Sequence, residues 1–532
     1  MQILYNAKIY TLNSQQPNAD ALAIDDHAPQ AGRILAVGNF DNIKAEFGIR
    51  AQLQDMEGRV ILPGLTDAHI HLRGYAEFLQ YIQLSGLSKE ECLAAVAERA
   101  KETPPGEWIR GHGWNQNNWE DGQFPRKGEL DAAAPDHPVL LTATSLHASW
   151  ANQAALKAAG VNAGTPDPEG GAFQRDEQGN PTGIIFEHAM RIVSQAVPRP
   201  TGEETAAVIS AAQTSLWQMG LTGVHDFDRH SFSALQRLHA QGELKLRVLK
   251  HLPVENLDAI LAAELRSGFG DDMLRIGGIK VFADGALGPH TAAMLQPYEN
   301  EPDNRGMPFL DSEEFFEHAS RAALGGLSMT VHAIGDAANH EMLKGYAQLR
   351  RFEKAEKLPH RRHRIEHAQI LHPADFEKFK ELEIIASVQP IHATSDMDMA
   401  DAYWGERSRY SYAWRSLLEQ GILLAFGSDA PVDSPNPFWG IHAAVTRQRA
   451  GGYPGPKGWY PEQKLSLQEA LHGYTQGAAT AACLEDRLGK LAPGYLADLI
   501  VLTDDPFDTP PEDLREISPS AVMVGGDWVW QG

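Results

Sequence analysis

The fold of this chain is limited above all by a repeated alternation of short apolar segments and helical stretches. The repeat begins near Val60, and this order is typical of βα units and a parallel sheet. Eight segments fit the pattern, and eight strands with helices between them predict a closed, TIM-like (β/α)8 barrel of the α/β class. The eight segments are LTDAHIHL, LTGVHDF, LRVLKHL, IGGIKVFAD, SMTVHAIGD, HRIEHAQI, IIASVQPIH and LLAFGSDAP.

Two further regions lie outside this repeat. The stretch between the first two predicted strands is too long for one helix, so we expect residues 85–200 to form an inserted module. Insertions after barrel strands usually lie at the C-terminal mouth, where substrates enter. Segments with hairpin patterns occur at both ends of the chain. We therefore expect residues 1–60 and 485–532 to share a small sheet domain, and residues 61–84 and 201–484 to form the barrel.

Composition limits the partners and the compartment. The chain has 46 basic and 70 acidic residues and a net charge of −24, which argues against binding to nucleic acid or to an anionic membrane. Its two cysteines do not suggest a disulfide framework. The first residues lack the pattern of a secretory leader, and no apolar run is long enough to span a bilayer. We expect a cytoplasmic protein that acts on a small molecule.

The first predicted barrel strand carries the first candidate ligands. Alternate residues of a strand share one face, so Asp67, His69 and His71 point one way and their apolar neighbours point the other way. Two imidazoles inside the mouth of a barrel are suited to binding one cation. Pairs of this kind also occur as exposed loop histidines, so the pair alone does not establish a metal site.

The fourth predicted strand places a lysine inside the barrel. Ile279, Val281 and Ala283 form its apolar face, and Lys280 and Asp284 lie on the other face. An unpaired ammonium in that position would be costly. Lys280 must therefore pair with a carboxylate such as Asp284, or lose its charge, for example by carboxylation to a carbamate that can bridge two metals. From this strand alone, the structural salt bridge with Asp284 is the simpler interpretation.

Three later strands add further candidates. Alternation points His332 inward, whereas His367 is assigned to the end of its strand by chain order, because Arg364 and Glu366 interrupt the alternation there. Asp429 ends a strand with small inward residues and is a candidate metal ligand and general base. Each of these residues alone has a structural alternative, a satisfied core histidine or a turn aspartate. Together they predict a metal centre, because five strands each bring a metal-capable side chain to one end of the barrel.

The order of these residues resembles the metal-dependent amidohydrolase superfamily, and more closely the branch that contains N-substituted formamide deformylase. The resemblance covers essentially the whole chain. It is carried by the segments LPGLTDAHIHL, WIRGHGWNQNNW, KVFADGALG, TVHAIGDAAN, RIEHAQ, SVQPIH, FGSDAPV and GKLAPGYLADLIVL.

The resemblance implies a composite N- and C-terminal β-sandwich, a barrel, and an inserted α/β module over its mouth. It also implies two divalent metal ions, usually zinc, with Lys280 carboxylated and bridging them. His69 and His71 then bind one ion, and His332 and His367 bind the other. A metal-bridging hydroxide is expected to attack the carbonyl of a non-peptide amide, and Asp429 is expected to shuttle the proton to the leaving amine. Many relatives form dimers, so a homodimer is an expectation.

Candidates for substrate contact come from the segments around the predicted mouth. Trp114 and Trp404 are suited to stacking on a planar group, and Arg447 to pairing with a carboxylate; packing of the tryptophans and a surface ion pair are the structural alternatives. The full set of candidates is His112, Trp114, Asn115, His147, Asn152, His225, Gln389, His392, Trp404 and Arg447.

Three other functions stay open. A mononuclear deaminase of the same superfamily would not need Lys280. A metal-dependent esterase or lactonase would use the same centre. A non-catalytic regulator on this scaffold is the third alternative, although such proteins usually lose ligands and here every expected position is filled.

Overall fold

The computed structural model describes residues 1–26, 32–145 and 147–532. The chain separates into two compact units, one of Met1–Tyr75 with Ile209–Gly532 and the other of Ala76–Val208. The second unit includes the whole range predicted for the inserted module. The module and domain boundaries themselves stay predictions, as does the β-sandwich expected at the chain ends.

The strands are numbered in chain order. They are β1 (Gln2–Tyr10), β2 (Asn18–Ile24), β3 (Ile34–Gly38), β4 (Gln52–Asp55), β5 (Val60–Pro63), β6 (Leu65–Ile70), β7 (Ile82–Gln83), β8 (Ile109–Trp114), β9 (Val139–Ala143), β10 (Ala148–Ala151), β11 (Gly171–Arg175), β12 (Pro181–Glu187), β13 (Leu221–Asp226), β14 (Arg247–Pro253), β15 (Leu274–Phe282), β16 (Met329–Ala333), β17 (Arg364–His367), β18 (Ile385–Val388), β19 (Leu424–Phe426), β20 (Leu499–Leu502), β21 (Pro519–Val524) and β22 (Asp527–Gln531).

The α-helices are numbered in the same way. They are α1 (Phe40–Phe47), α2 (Leu72–Phe78), α3 (Lys89–Glu102), α4 (Lys127–Ala133), α5 (Gln153–Ala158), α6 (Ala189–Ser194), α7 (Gly202–Gln218), α8 (Phe232–Ala240), α9 (Leu257–Ala262), α10 (Ser312–Leu324), α11 (Asp336–Ala355), α12 (Phe376–Glu381), α13 (Pro390–Trp404), α14 (Trp414–Glu419), α15 (Pro437–Thr446), α16 (Leu467–His472) and α17 (Ala478–Ala481).

The first unit contains a nearly closed barrel of eight parallel strands. The order β6-β13-β14-β15-β16-β17-β18-β19 follows the chain, and each strand corresponds to one of the eight predicted segments. At the C-terminal end, where β19 approaches β6, Asp429 N donates to His69 O at 2.7 Å and His71 N donates to Ala430 O at 2.9 Å. The closure of the barrel therefore brings the ends of its first and last strands together.

Gly427 makes that closure possible. A Cβ atom on Gly427 would lie 2.4 Å from His69 N and 2.7 Å from the Asp67 carboxylate. The small residue predicted at this position thus leaves room for the backbone of β6, because no side chain fits between the first and last strands.

A second sheet of the first unit combines both ends of the chain. Its order is β22-β21-β20-β5-β1-β2-β3, and β4 pairs with β1. The strand β5 runs antiparallel to β20, with Pro63 opposite Leu499 and Val60 opposite Leu502. All four residues of β5 and of β20 are buried, so this junction lies in the core of the sheet and is stabilised by apolar burial.

The second unit has its own six-stranded sheet, in the order β11-β12-β10-β9-β8-β7. Its core includes the clustered aromatic rings of Trp114, Trp119 and Trp150. Cys92 in this unit is a buried free thiol, and Cys483 in the first unit is an exposed free thiol. Within the described ranges no helix is long and apolar enough to cross a bilayer.

Candidate metal centre

The two histidines of β6 reach the C-terminal end of the barrel in different settings. His69 is buried, and its Nδ1 lies 2.6 Å from Oε2 of Glu366. That contact leaves His69 Nε2 facing Asp429 Oδ1 at 3.3 Å. His71 Nε2 lies 3.2 Å from the same oxygen, and its Nδ1 lies 3.5 Å from Asp228. Both imidazoles therefore present Nε2 to one carboxylate oxygen.

Asp429 is the point on which the side chains converge. It follows β19 in a left-handed conformation with φ of 60°, which is uncommon for a residue other than glycine. Its Oδ1 is buried and accepts no hydrogen bond within the described part of the chain. Burial alone raises the pKa of this carboxyl, but the imidazoles of His69, His392 and His71 around it hold the pKa well below its usual range.

His367 ends strand β17, in which Arg364 and Glu366 interrupt the alternation of polar and apolar residues. Arg364 and Glu366 both point into the barrel, where the Arg364 guanidinium donates to Glu366, to Ala68 O and to Ser387 Oγ. The chain then turns at His367, with φ of 71°. His367 is therefore also brought to the barrel interior, and its Nδ1 lies 2.8 Å from Gln389 Oε1.

His392 stands on the other side of Asp429. It lies in the first turn of α13, with Nε2 3.5 Å from Asp429 Oδ2 and Nδ1 2.7 Å from Asp433 Oδ2. Its ring is stacked at 6.3 Å from the ring of His367. Burial opposes protonation of His392, but the hydrogen bonds to Asp429 and Asp433 raise its pKa well above its usual value.

His332 lies beside His367, with ring centroids 4.5 Å apart. Its Nε2 is 3.0 Å from the carbonyl oxygen of Gly285, so Nδ1 is the nitrogen left for another partner. Burial, with a smaller contribution from the charge of Lys280, lowers the pKa of His332 to about 3. The ring is therefore neutral, which is the form that binds metal ions.

Lys280 is buried, 5% exposed, and does not pair with Asp284. The Asp284 carboxylate instead accepts backbone hydrogen bonds from Ala293, Ile334 and Gly335. The salt bridge that was the simpler interpretation from the strand alone is therefore wrong. Lys280 Nζ lies 4.9 Å from the ring centre of Phe227 and 4.7 Å from that of Phe282. Burial lowers the pKa of Lys280 to about 8.

The donor set fits a divalent cation. Two groups of side chains each bring their ligand atoms within 4.8 Å of one another. One group is His69, His71 and Asp429, and the other is His367, His392 and Asp429. Tetrahedral ligands about 2.1 Å from a zinc ion are separated by about 3.4 Å, close to the 3.2 and 3.3 Å between Asp429 Oδ1 and the two Nε2 atoms. The unpartnered Asp429 Oδ1 and the nitrogen-oxygen ligands both suit such an ion.

Glu366 is a functional candidate that the alternation of strand residues did not identify. It is fully buried, accepts from Arg364 and holds His69 Nδ1. Burial raises its pKa, but the charges of Arg364 and His69 hold it well below its usual range. The signal was present in the sequence, because Glu366 was one of the two polar residues that interrupted the alternation of β17.

Among the substrate candidates of the first unit, Gln389 and His392 contact the centre, whereas three others have structural surroundings. His225 accepts from Arg364 inside the barrel. Trp404 is fully buried at the end of α13. Arg447 is 1% exposed and donates to the carbonyl oxygens of Trp459 and Tyr412, so the alternative of a surface ion pair is wrong for it. A substrate role for these residues stays a prediction.

The substrate candidates of the second unit also have local partners. Trp114 is fully buried and donates from Nε1 to Leu141 O, and Asn152 is a buried N-cap of α5. Asn115 caps a short 3-10 helix. Nδ1 of the exposed His147 lies 2.9 Å from Oε1 of Glu187, and burial lowers the pKa of His112. These contacts account for Trp114 and Asn152 as core residues, and the substrate roles of all five stay predictions.

Comparison with known proteins gives one family. A model of the amidohydrolase family matches residues 52–530. Protein LONG AFTER FAR-RED 3 of Arabidopsis thaliana is 34% identical over 545 residues, which cover 98% of this chain and 90% of the relative. N-substituted formamide deformylase of Arthrobacter pascens is 27% identical over 548 residues, which cover 98% of this chain and 97% of the relative.

A solved structure agrees with these similarities. The crystal structure of an uncharacterized metal-dependent hydrolase from Pyrococcus furiosus has a TM-score of 0.80 and 29% sequence identity to this chain. The match covers 95% of this chain and 100% of the other chain.

Proposed function

Because this chain belongs to the amidohydrolase family, whose metal-dependent hydrolases share its fold, we propose that it cleaves a non-peptide carbon-nitrogen bond of a small amide. One observation carries the proposal. The histidines of three different segments converge on Asp429 at the C-terminal end of the barrel, the end at which enzymes of this fold bind their substrates. N-substituted formamide deformylase, a relative over the whole chain, supports the amide as the substrate class.

The proposed centre holds two divalent cations. His69 and His71 would hold one of them, His332 and His367 would hold the other, and Lys280, carboxylated on Nζ, would serve as a further ligand. Nitrogen and oxygen ligands of this kind suit zinc. The orphaned Oδ1 of Asp429 supports its role as a further ligand, and the absence of a carboxylate partner for Lys280 Nζ among the described residues supports its modification.

The chemistry divides between the cations and the side chains. When bound, the cations lower the pKa of a water molecule and polarise the amide carbonyl. Asp429 accepts the proton of the attacking water and passes it to the leaving amine. His392 holds Asp429 Oδ2 and is itself held by Asp433, which fixes the carboxylate for that transfer. Glu366 fixes the ring of His69 so that Nε2 faces the centre.

The test combines metal analysis with a substrate panel. We expect two metal ions per chain by mass spectrometry of the intact purified enzyme, and turnover of N-substituted formamides or other small amides. We expect Asp429→Asn to reduce kcat by about 10² to 10⁴ while the protein stays folded. Asp513→Asn, an exposed residue with the same change of charge, is the control and should keep full activity.

Each rival function has its own result in this experiment. One tightly bound ion per chain would contradict the two-metal centre and favour a mononuclear deaminase. Turnover of esters or lactones without amides would favour the esterase alternative. The name of the Arabidopsis relative states no enzymatic activity, so a regulator is tested as well. Absence of any hydrolysis by metal-replete protein, with equal ligand binding by the Asp429→Asn variant, would favour it.

A further inference from the structure

A cavity of about 340 Å³ lies at the opposite end of the barrel strands from the metal centre. Arg275 is near the start of β15, Ser328 directly precedes β16, and Arg361 comes shortly before β17. The cavity is therefore built at the N-terminal ends of parallel strands, within the first unit. Its walls include Ser267, Arg275, Ser328, Arg361, Arg362 and His251.

Two guanidinium groups in this wall have no ion-pair partner among residues 1–26, 32–145 and 147–532. The Nε atoms of Arg275 and Arg361 are buried, and neither atom meets a hydrogen-bond acceptor in the part of the chain that the structure describes. Neither side chain forms an ion pair with any of those residues. Burial lowers the pKa of Arg361, which reflects the cost of holding this cation away from water. Buried polar groups are almost always hydrogen-bonded, so these two require an explanation.

The neighbouring acidic side chains do not pair with Arg275 or Arg361, because each of them is bound to another group. Glu485, which lines the same cavity, is paired with Arg362 through both of its oxygens. Glu353, whose charge reaches Arg361, bonds to Arg350 and His363. Asp486, whose charge reaches Arg275, is paired with Arg487.

A third polar atom of the wall is also unsatisfied. His251 is buried, and its Nδ1 accepts a hydrogen bond from Gly278 N at 3.0 Å. The proton of the neutral ring is therefore on Nε2, which has no acceptor among the described residues. The cavity thus combines two guanidinium groups and one neutral imidazole, each with a nitrogen that meets no acceptor in the described part of the chain. The net charge of the whole chain is −24.

We propose that this cavity is a binding site for a small oxyanion, a phosphate or carboxylate that is free or carried by a small metabolite. Guanidinium groups bind both kinds of anion through pairs of parallel hydrogen bonds. The oxyanion supplies the negative charge that Arg275 and Arg361 lack among the described residues. The proposal does not depend on the hydrolase function, since none of these three groups belongs to the metal centre.

Titration calorimetry tests the site on the metal-replete full-length protein. Inorganic phosphate is one probe, and citrate, at matched ionic strength and pH, is the other. We expect saturable binding of at least one of them, weakened about tenfold or more in Arg275→Gln and in Arg361→Gln. Arg321→Gln removes an exposed arginine that pairs with Asp258 and is the control for the change in net charge. It should bind as tightly as the wild type.

A second measurement needs no variant and locates the anion. Crystals soaked in selenate should give an anomalous selenium peak between Arg275 and Arg361. A peak confined to the metal centre would overturn the proposal, and so would the absence of saturable binding of both probes. Equal affinity in the wild type and both arginine variants would overturn it as well.

Discussion

Glu366 connects two parts of the barrel interior. One of its oxygens accepts from Arg364, and the other holds Nδ1 of His69 at 2.6 Å. A carboxylate in this position fixes both the orientation and the tautomer of a histidine ligand and makes its other nitrogen more basic. The contribution of Glu366 is therefore expected in metal affinity rather than in contact with the substrate.

Replacing Glu366 with glutamine should weaken metal binding. The Glu366→Gln variant keeps the shape of the side chain but loses the charge that faces His69 and Arg364. We expect metal affinity to fall by about 10- to 100-fold, measured by competition with a chromogenic chelator. Glu313→Gln, on the exposed first turn of α10, is the control. Unchanged affinity in a folded Glu366→Gln protein would show that Glu366 is not needed to orient His69.

His363 makes stability depend on pH at a site away from the metal centre. It is fully buried, accepts from Met329 N and lies 3.0 Å from Glu353 Oε1. Burial lowers its pKa to about 4, although the hydrogen bond to Glu353 opposes the shift. Between pH 6.5 and 4 the unfolded chain therefore binds a proton at this residue that the folded protein does not bind.

The free energy of unfolding should consequently fall as the pH is lowered from 7 to 4. The contribution of His363 is on the order of 3 kcal/mol, present above the unfolded pKa and lost as the pH approaches 4. Urea unfolding across this range measures it. The His363→Gln variant should show a smaller decrease than the wild type. Equal slopes for the two proteins would contradict this account.

At the scale of single elements, alternation along a strand predicted the inward residues of β6, β15 and β16. Alternation could not predict which residues of β17 point inward. Arg364 and Glu366 form a buried ion pair inside the barrel, and the chain turns at His367 with positive φ. Alternation describes an extended strand whose polar and apolar faces differ. A strand with charged residues on its buried face follows no such pattern, and chain order alone identified His367.

Helices and inserted segments were less predictable than strands. The sequence does not distinguish a tryptophan that lines a mouth from one that packs in a module's own core, and Trp114 lies in such a core. The lack of a salt bridge between Lys280 and Asp284 could not be predicted either. The Asp284 carboxylate accepts hydrogen bonds from three backbone amides in two separate segments. Contacts of this kind depend on the path of loops, which carry no periodic pattern.

The junction of β19 with β6 depends on Gly427. A methyl group at this position would meet the backbone of His69 and the Asp67 carboxylate. We expect Gly427→Ala to lower the free energy of unfolding by about 1 to 3 kcal/mol and to weaken metal binding, because both strand ends would shift. Chemical denaturation measures the first effect and chelator competition the second. Gly451→Ala, where the added methyl group meets open space, should change neither.

At the scale of the whole molecule, the sheet at the chain ends determines what can be removed. The strand β20 covers the edge of β5 with a buried antiparallel ladder. Deleting residues 499–532 should leave β5 with an uncovered apolar edge, and such edges promote aggregation. We expect loss of soluble protein and of a cooperative thermal transition. Deleting residues 527–532 removes only the edge strand β22 and should leave a folded protein, and equal behaviour of both truncations would contradict the argument.

The pairing of β5 with β20 also has a consequence in time. A ribosome adds about 5 to 20 residues per second, so tens of seconds pass between the synthesis of Pro63 and that of its ladder partner Leu499. During that interval the first strands of this sheet have left the ribosome while the strand that covers them does not yet exist. A nascent chain with this topology must keep the apolar edge of β5 from pairing with other chains until Leu499 has been synthesised.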